Sequence, residues 1–245
     1  MRLPYNVNFH IHSCLSPCAD DEMTPMNIAG MAKLGDFDIV ALTDHNTTKN
    51  CPAFFAAARA YGIIPIAGIE LTTSEDIHAV CLFPSLEAAT LFETELDGFK
   101  TRIENHPDIF GKQTVIGFSD EPLYEEPYLL PVATGISLED LPALLEKYGG
   151  VCYPAHIDKD ANGVIAILGT FPETPVFNNF ELRDISRLKE FEEKYGLKDK
   201  YLLFGSDAHF LEDVGDAEYC IFLDTDGSEE DVVKKLFLHL RNPIF

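Results

Sequence analysis

The sequence predicts an α/β fold with a mainly parallel sheet, closer to a barrel than to an open sheet. Strand and helix patterns alternate along most of the chain. About eight strand patterns fall within 245 residues, more than a doubly wound open sheet usually needs. No internal repeat, low-complexity tract or flexible linker divides the chain, so a single domain over 1–245 is expected.

The elements follow in order. Residues 7–12 alternate apolar and polar side chains, a strand signal. Thr24 and Pro25 provide an N-cap and a first helical position, and Gly35 can close that helix. Residues 38–42 form a buried strand, 51–61 an alanine-rich helix, and 63–69 and 77–83 two further strands. A helix is predicted over 86–103. Regularity is then interrupted over 105–135, which holds Pro107, Pro122, Pro127 and Pro131 with Phe110, Phe118, Tyr124 and Tyr128. This segment reads as an insertion or lid, with a hairpin at 114–118. Ser137 and Asp140 resemble a capping box that opens a helix to Tyr148. Strands are predicted at 151–155, 176–182, 201–206 and 219–223, and a last amphipathic helix over 228–240.

Hydrophobic residues make up 46% and charged residues 24%, a balance that excludes disordered, collagen-like and coiled-coil chains. No apolar run approaches the roughly 18 residues of a membrane span, and the first six residues lack the apolar core of a signal peptide. A soluble, cytoplasmic protein is expected. Eighteen Lys and Arg against 41 Asp and Glu give a net charge of −23. Such a surface repels phosphate backbones and anionic lipid, so nucleic acid and membrane partners are disfavoured. The six cysteines read as free thiols, with Cys81, Cys152 and Cys220 in apolar runs. Neither a G-x-G-x-x-G nor a P-loop stands at a strand–helix junction.

Six of the eight histidines fall at or beside predicted strands. His10 and His12 form H-x-H, and side chains at i and i+2 on a strand share a face. His45 follows a strand in T-D-H, Glu70 ends one in G-I-E, His156 ends another, and Asp207 and His209 lie in S-D-A-H. In a parallel barrel all these strand ends meet on one rim, where such folds build their sites. His78 lies near the start of its strand and needs a fold-level argument to join them. Asp20, Asp21 and Glu22 follow the first strand, and spacing alone leaves open which turns inward. His106 and His239 fit no junction and read as surface or packing residues.

Taken together, the H-x-H, the carboxylate eight residues after His12, T-D-H, G-I-E, His78, His156 and S-D-A-H resemble the PHP superfamily, named for polymerase and histidinol phosphatase domains. The resemblance implies a distorted (β/α)7 TIM-like barrel holding two or three divalent metal ions. It implies as ligands His10, His12, Asp20, His45, Glu70, His78, His156, Asp207 and His209. By it, His10, His12, Glu70 and Asp207 hold one ion, and Glu70 bridges to a second held by His78 and His156. Asp20, His45 and His209 hold the third. Asp20 is taken over Asp21 because the family's carboxylate sits five residues before a helix-starting proline, here Pro25. The sequence departs at Ser16-Pro17-Cys18-Ala19-Asp20-Asp21, where many members have Ser-Asp-Gly.

A His/Asp/Glu set suits zinc, manganese or iron(II). Three divalent ions against three carboxylates leave the site at about +3, so an anionic phosphate can bind inside an acidic protein. The expected reaction is hydrolysis of a phosphate monoester of a small molecule by a metal-activated water, the substrate being a nucleotide, histidinol phosphate or sugar phosphate. Arg183 and Lys159 are the candidate phosphate-binding cations, although Arg183 can equally pair with Asp184 or Glu181. Asp44 is a candidate for orienting a ligand or relaying a proton. A phosphodiesterase or exonuclease using the same metals, and a non-catalytic metal-binding domain, are the competing readings.

Overall fold

The computed structural model describes residues 2–242. Its strands are β1 (Arg2–Asn8), β2 (Ile39–Leu42), β3 (Ile64–Thr72), β4 (His78–Phe83), β5 (Thr114–Ile116), β6 (Pro122–Glu125), β7 (Val151–Pro154), β8 (Asn179–Leu182), β9 (Tyr201–Phe204) and β10 (Cys220–Asp224). Its helices are α1 (Pro25–Leu34), α2 (Cys51–Ala60), α3 (Leu86–Leu96), α4 (Pro107–Phe110), α5 (Leu141–Glu146), α6 (Val164–Leu168), α7 (Leu188–Tyr195) and α8 (Glu229–Arg241).

A six-stranded sheet in the order β10-β1-β2-β3-β4-β7 forms a curled half-barrel, and β5–β6 and β8–β9 are separate pairs. The expected mainly parallel sheet is corrected here to a mixed one. β1, β2 and β3 run parallel, joined by α1 and α2, but β3–β4, β4–β7 and β1–β10 are antiparallel. Only residues 73–77 separate β3 from β4. That is too short for the crossover of a dozen or more residues that a parallel neighbour requires. The parallel pair β8–β9 joins the rest through a bridge between Ile11 and Ala208. It is also held by a hydrogen bond of 2.8 Å from the Ile157 N–H to the Glu181 carbonyl.

Alternation of side chains across the pleat sorts the core. Val40, Leu42, Ala67 and Ile69 point outward to α1, α2 and α3. Ile39, Ala41, Ile66, Val80, Tyr153 and Leu203 point to the other face, where Val232, Leu236, Phe237 and Leu240 of α8 close the cluster. His10, His12 and His45 follow the C-terminal ends of the parallel strands β1 and β2.

Several predicted bounds shift. β1 ends at Asn8, so His10 and His12 lie just past the strand, held by His12 N–H to Ala208 O at 3.0 Å and Thr43 N–H to Ile11 O at 2.9 Å. β3 runs on to Thr72 because it pairs with β4, which leaves Glu70 inside the strand rather than at its end. α1 begins as predicted, with Thr24 Oγ1 accepting from Asn27 N–H at 3.3 Å. Gly35 closes it as predicted, its N–H donating to Met31 O at 2.8 Å, though the left-handed conformation falls to Asp36 at φ 62°. α3 stops at Leu96, and the helix after Ser137 starts only at Leu141 because Ser137 and Asp140 bond each other in a turn before it. The hairpin over 114–118 extends to Glu125, and α6 and α7 lie where no helix was predicted.

Candidate metal centre

His78, out of place in a parallel barrel, is positioned by the antiparallel run of β4. Its strand starts opposite the end of β3, with His78 paired to Thr72. Its Nδ1 therefore stands 2.9 Å from Glu70 Oε1. The same oxygen lies 2.9 Å from His156 Nε2 and 3.2 Å from His10 Nε2. Glu70 Oε2 lies 3.1 Å from His12 Nε2 and 3.1 Å from His45 Nδ1. One buried carboxylate is thus ringed by five imidazoles from four different segments. Asp207 Oδ1 is 3.3 Å from His12 Nε2 and 3.5 Å from His10 Nε2, and His209 stacks on His12 at 4.4 Å between ring centroids.

Three groups of ligand atoms are close enough to hold an ion: His10, His12, Glu70 and Asp207; His45, Glu70 and His78; and His12, His45 and His209. The first matches the set the sequence resemblance implies. His156 touches Glu70 and His78, as that set requires. Asp20 is in none of the three groups; its Oδ1 accepts from Glu22 N–H at 2.8 Å, and its backbone N–H donates to His209 O at 2.9 Å. Asp21 faces outward and pairs with Lys112 at 2.8 Å.

Hydrogen bonds fix which way the lone pairs point. His10 Nδ1–H donates to Glu181 Oε1 at 2.7 Å. Ser16 Oγ–H donates to Asp44 Oδ1 at 2.8 Å, so Ser16 Oγ itself accepts from His12 Nδ1–H at 3.0 Å and from His45 N–H at 3.1 Å. His209 Nδ1–H donates to the Asp207 carbonyl at 2.7 Å. The Nε2 atoms of His10 and His12 then face each other at 3.2 Å. Two lone pairs that close need a cation, and the donors suit one bound at about 2.0–2.1 Å from each nitrogen. The buried Nδ1 of His45, which faces Glu70, likewise has no hydrogen-bond partner among the described residues. The donor set therefore fits divalent metal ions.

Burial alone would discharge these rings, but the neighbouring carboxylates reverse it for two of them. His10 is raised well above the ordinary range by Glu181, Glu70 and Asp207, and His12 is raised to about 9 by Asp207 and Glu70. His45 and His209 go the other way, lowered by burial and by neighbouring rings, His209 to about 4. Against the effect of burial, the rings of His78, His10 and His45 hold Glu70 well below the usual carboxylate range. Asp207 is likewise lowered by His10 and His12 despite its burial. His156 at φ 27° and Asp207 at φ 50° occupy the left-handed region, a strain of about 1–3 kcal/mol each that clusters at functional sites.

Asp44 is buried and accepts from Ser13 N–H at 2.7 Å, Ser13 Oγ–H at 2.6 Å and Ser16 Oγ–H at 2.8 Å, so it orients His12 through Ser16. Lys159 Nζ lies 2.7 Å from Asp207 Oδ2, and the exposed Arg183 has its Nε 3.6 Å from the same oxygen and 3.3 Å from Ser206 O. Arg183 is paired with neither Asp184 nor Glu181. The residue that sequence reasoning missed is Glu181 itself. A carboxylate between the apolar Phe180 and Leu182 was the available signal.

A model of the PHP domain matches residues 8–130, which hold His10, His12, Asp20, His45, Glu70 and His78. Over 75 residues the chain is 39% identical to the PolC-type DNA polymerase III of Thermotoga petrophila, a match that covers 30% of this chain and 5% of the polymerase. The lesion-specific endonuclease EndoQ of Pyrococcus furiosus superposes with a TM-score of 0.63 at 16% identity, over 95% of this chain and 55% of that one. A Bifidobacterium adolescentis protein assigned as a metal-dependent phosphoesterase superposes with a TM-score of 0.54 at 18% identity, over 83% and 87%. The chain thus spans a small part of the polymerase and about half of the endonuclease. With half its length matched by the family model, around a cluster of that family's ligand types, the chain belongs to the PHP domain family.

Proposed function

We propose that the chain is a metal-dependent hydrolase of phosphate esters, acting on a monoester of a small molecule. The observation that carries this reading is the pair of opposed Nε2 atoms 3.2 Å apart, beside a carboxylate ringed by imidazoles. Zinc, manganese or iron(II), two or three ions to the chain, suit this donor set. His10, His12, Glu70 and Asp207 would hold one ion, His78, His156 and Glu70 a second, and His45 and His209 with Asp20 a third. Bound there, the ions supply an activated water and neutralise phosphate charge. Asp44 and Ser16 hold His12 in its ligating tautomer. Lys159 and Arg183, now beside Asp207 at the open edge, can turn their cations to phosphate oxygens.

We read the seven strands β1–β4 and β7–β9 as the distorted (β/α)7 barrel of one domain, a reading supported by the links from Ile11 to Ala208 and from Ile157 to Glu181. Residues 105–135 are read as an insertion walling the site. A nuclease reading is favoured by the likeness in fold to EndoQ. The net charge of −23 favours the small monoester instead. The deciding experiment compares phosphate release from a panel of monoesters with cleavage of a diester at matched manganese and zinc, with His10→Ala as control. Monoester turnover lost in the variant is the expected outcome. Preferred diester cleavage would move the assignment to a nuclease, and a metal-loaded protein inert on both would overturn the hydrolase reading.

A further inference from the structure

We infer that Glu181 is a positioning residue that sets the metal affinity of the His10 corner of the cluster. The inference rests on the metal-centre reading above. β8 offers none of the nine proposed ligands, yet its Glu181 is 1% exposed and turned to the cluster. One oxygen, Oε1, accepts from His10 Nδ1–H at 2.7 Å and from the His156 backbone N–H at 3.1 Å. It therefore holds a ring that follows β1 and a peptide that follows β7, the latter in the left-handed region. The neighbouring strand makes room for it. A Cβ on Gly205 would stand 2.4 Å from Glu181 Oε2 and 2.8 Å from the Cβ of His10. Oε2 is itself buried without a hydrogen-bond partner among the described residues.

A buried carboxylate with one unsatisfied oxygen is costly to desolvate, and a packing role alone does not require it. What a carboxylate does that an apolar group cannot is force the His10 proton onto Nδ1 and make Nε2 a better electron-pair donor. His10 belongs to only one of the three ligand groups, the one with His12, Glu70 and Asp207. The effect of Glu181 should be largest on that group.

The test uses the full chain stripped with a chelator and titrated with Mn2+, Zn2+ or Co2+. Ions per chain are counted by native mass spectrometry, with the Co2+ visible spectrum and the metal-free Tm recorded in parallel. In Glu181→Gln, one equivalent should bind about 10–100-fold more weakly, the others should change far less, and the Co2+ bands should shift. Glu181→Asp, which keeps the charge, should recover part of the loss. Affinities equal to the parent's for every equivalent would overturn the inference. So would a uniform weakening accompanied by a fall in metal-free Tm, which would make Glu181 a structural residue only. A parent chain that binds no divalent ion would bring down the metal-centre reading first, a separate result read from a separate sample.

Discussion

Glu70 and Asp207 are both buried carboxylates of one cluster, yet they are neutralised differently. Among the described residues the ion-pair partners of Glu70 are all imidazoles, from His10, His12, His45, His78 and His156. Asp207 shares His10 and His12 but turns its second oxygen to Lys159, at 2.7 Å, and toward Arg183. The inner half of the site has no permanent cation, so protons or metal ions must supply its positive charge. The outer half has its own, on side chains exposed enough to move.

The sharpest way to break that comparison is Glu70→Gln. If Glu70 is the hub, the variant should fail to retain its ions through gel filtration, and phosphate release should fall by about 10²–10³-fold. Retained metal and activity would mean that the hub is elsewhere.

A second prediction concerns protons standing in for metal. His12 is raised to about 9 in the folded chain, above its ordinary value near 6.5. Its protonated form therefore stabilises the metal-free fold below about pH 6.5, a contribution on the order of 3 kcal/mol that is lost as pH rises through about 9. Chelator-stripped protein should melt at progressively lower temperature across that window. Metal affinity should rise over the same window, because the ion and the proton compete for one lone pair. A metal-free Tm that is flat across it would contradict the assignment of charge to the inner half.

The smallest effect is expected at the edge. Lys159→Ala should leave the metal count unchanged and raise KM for a phosphate monoester by about tenfold, or about 1.4 kcal/mol. Steady-state kinetics beside metal analysis would separate this from a role in metal binding, which would lower the ion count instead.

What could be read from the residues alone follows the same division. His10, His12, His45, Glu70, His156, Asp207 and His209 were recognisable because each is a ligand type at the end of an apolar run, and strand ends converge. His78 was legible only as a residue type, since its place depends on β4 running antiparallel, which the short 73–77 connection enforces. Glu181 was hidden because its role lies in a contact between segments 171 residues apart, which local pattern does not carry. α7 went unread although Leu188, Phe191 and Tyr195 recur at i, i+3 and i+7 and pack on the core. The bond between the Asp20 carboxylate and the Glu22 backbone is likewise a local turn that spacing to Pro25 does not report.

The hairpin β5–β6 bears on how substrate range could change. Asn50 donates to Ser13 Oγ at 2.9 Å and to Thr114 O at 3.2 Å, and accepts from Ile116 N–H at 2.8 Å. Ser13 in turn donates to Asp44. The root of the hairpin is thus part of the scaffold behind His12, while Phe118 at its tip is 70% exposed. A mutant library confined to 117–123 would vary the rim while sparing the metals. One that reached Asn50 would be selecting for repair of the cluster before it could select for anything new.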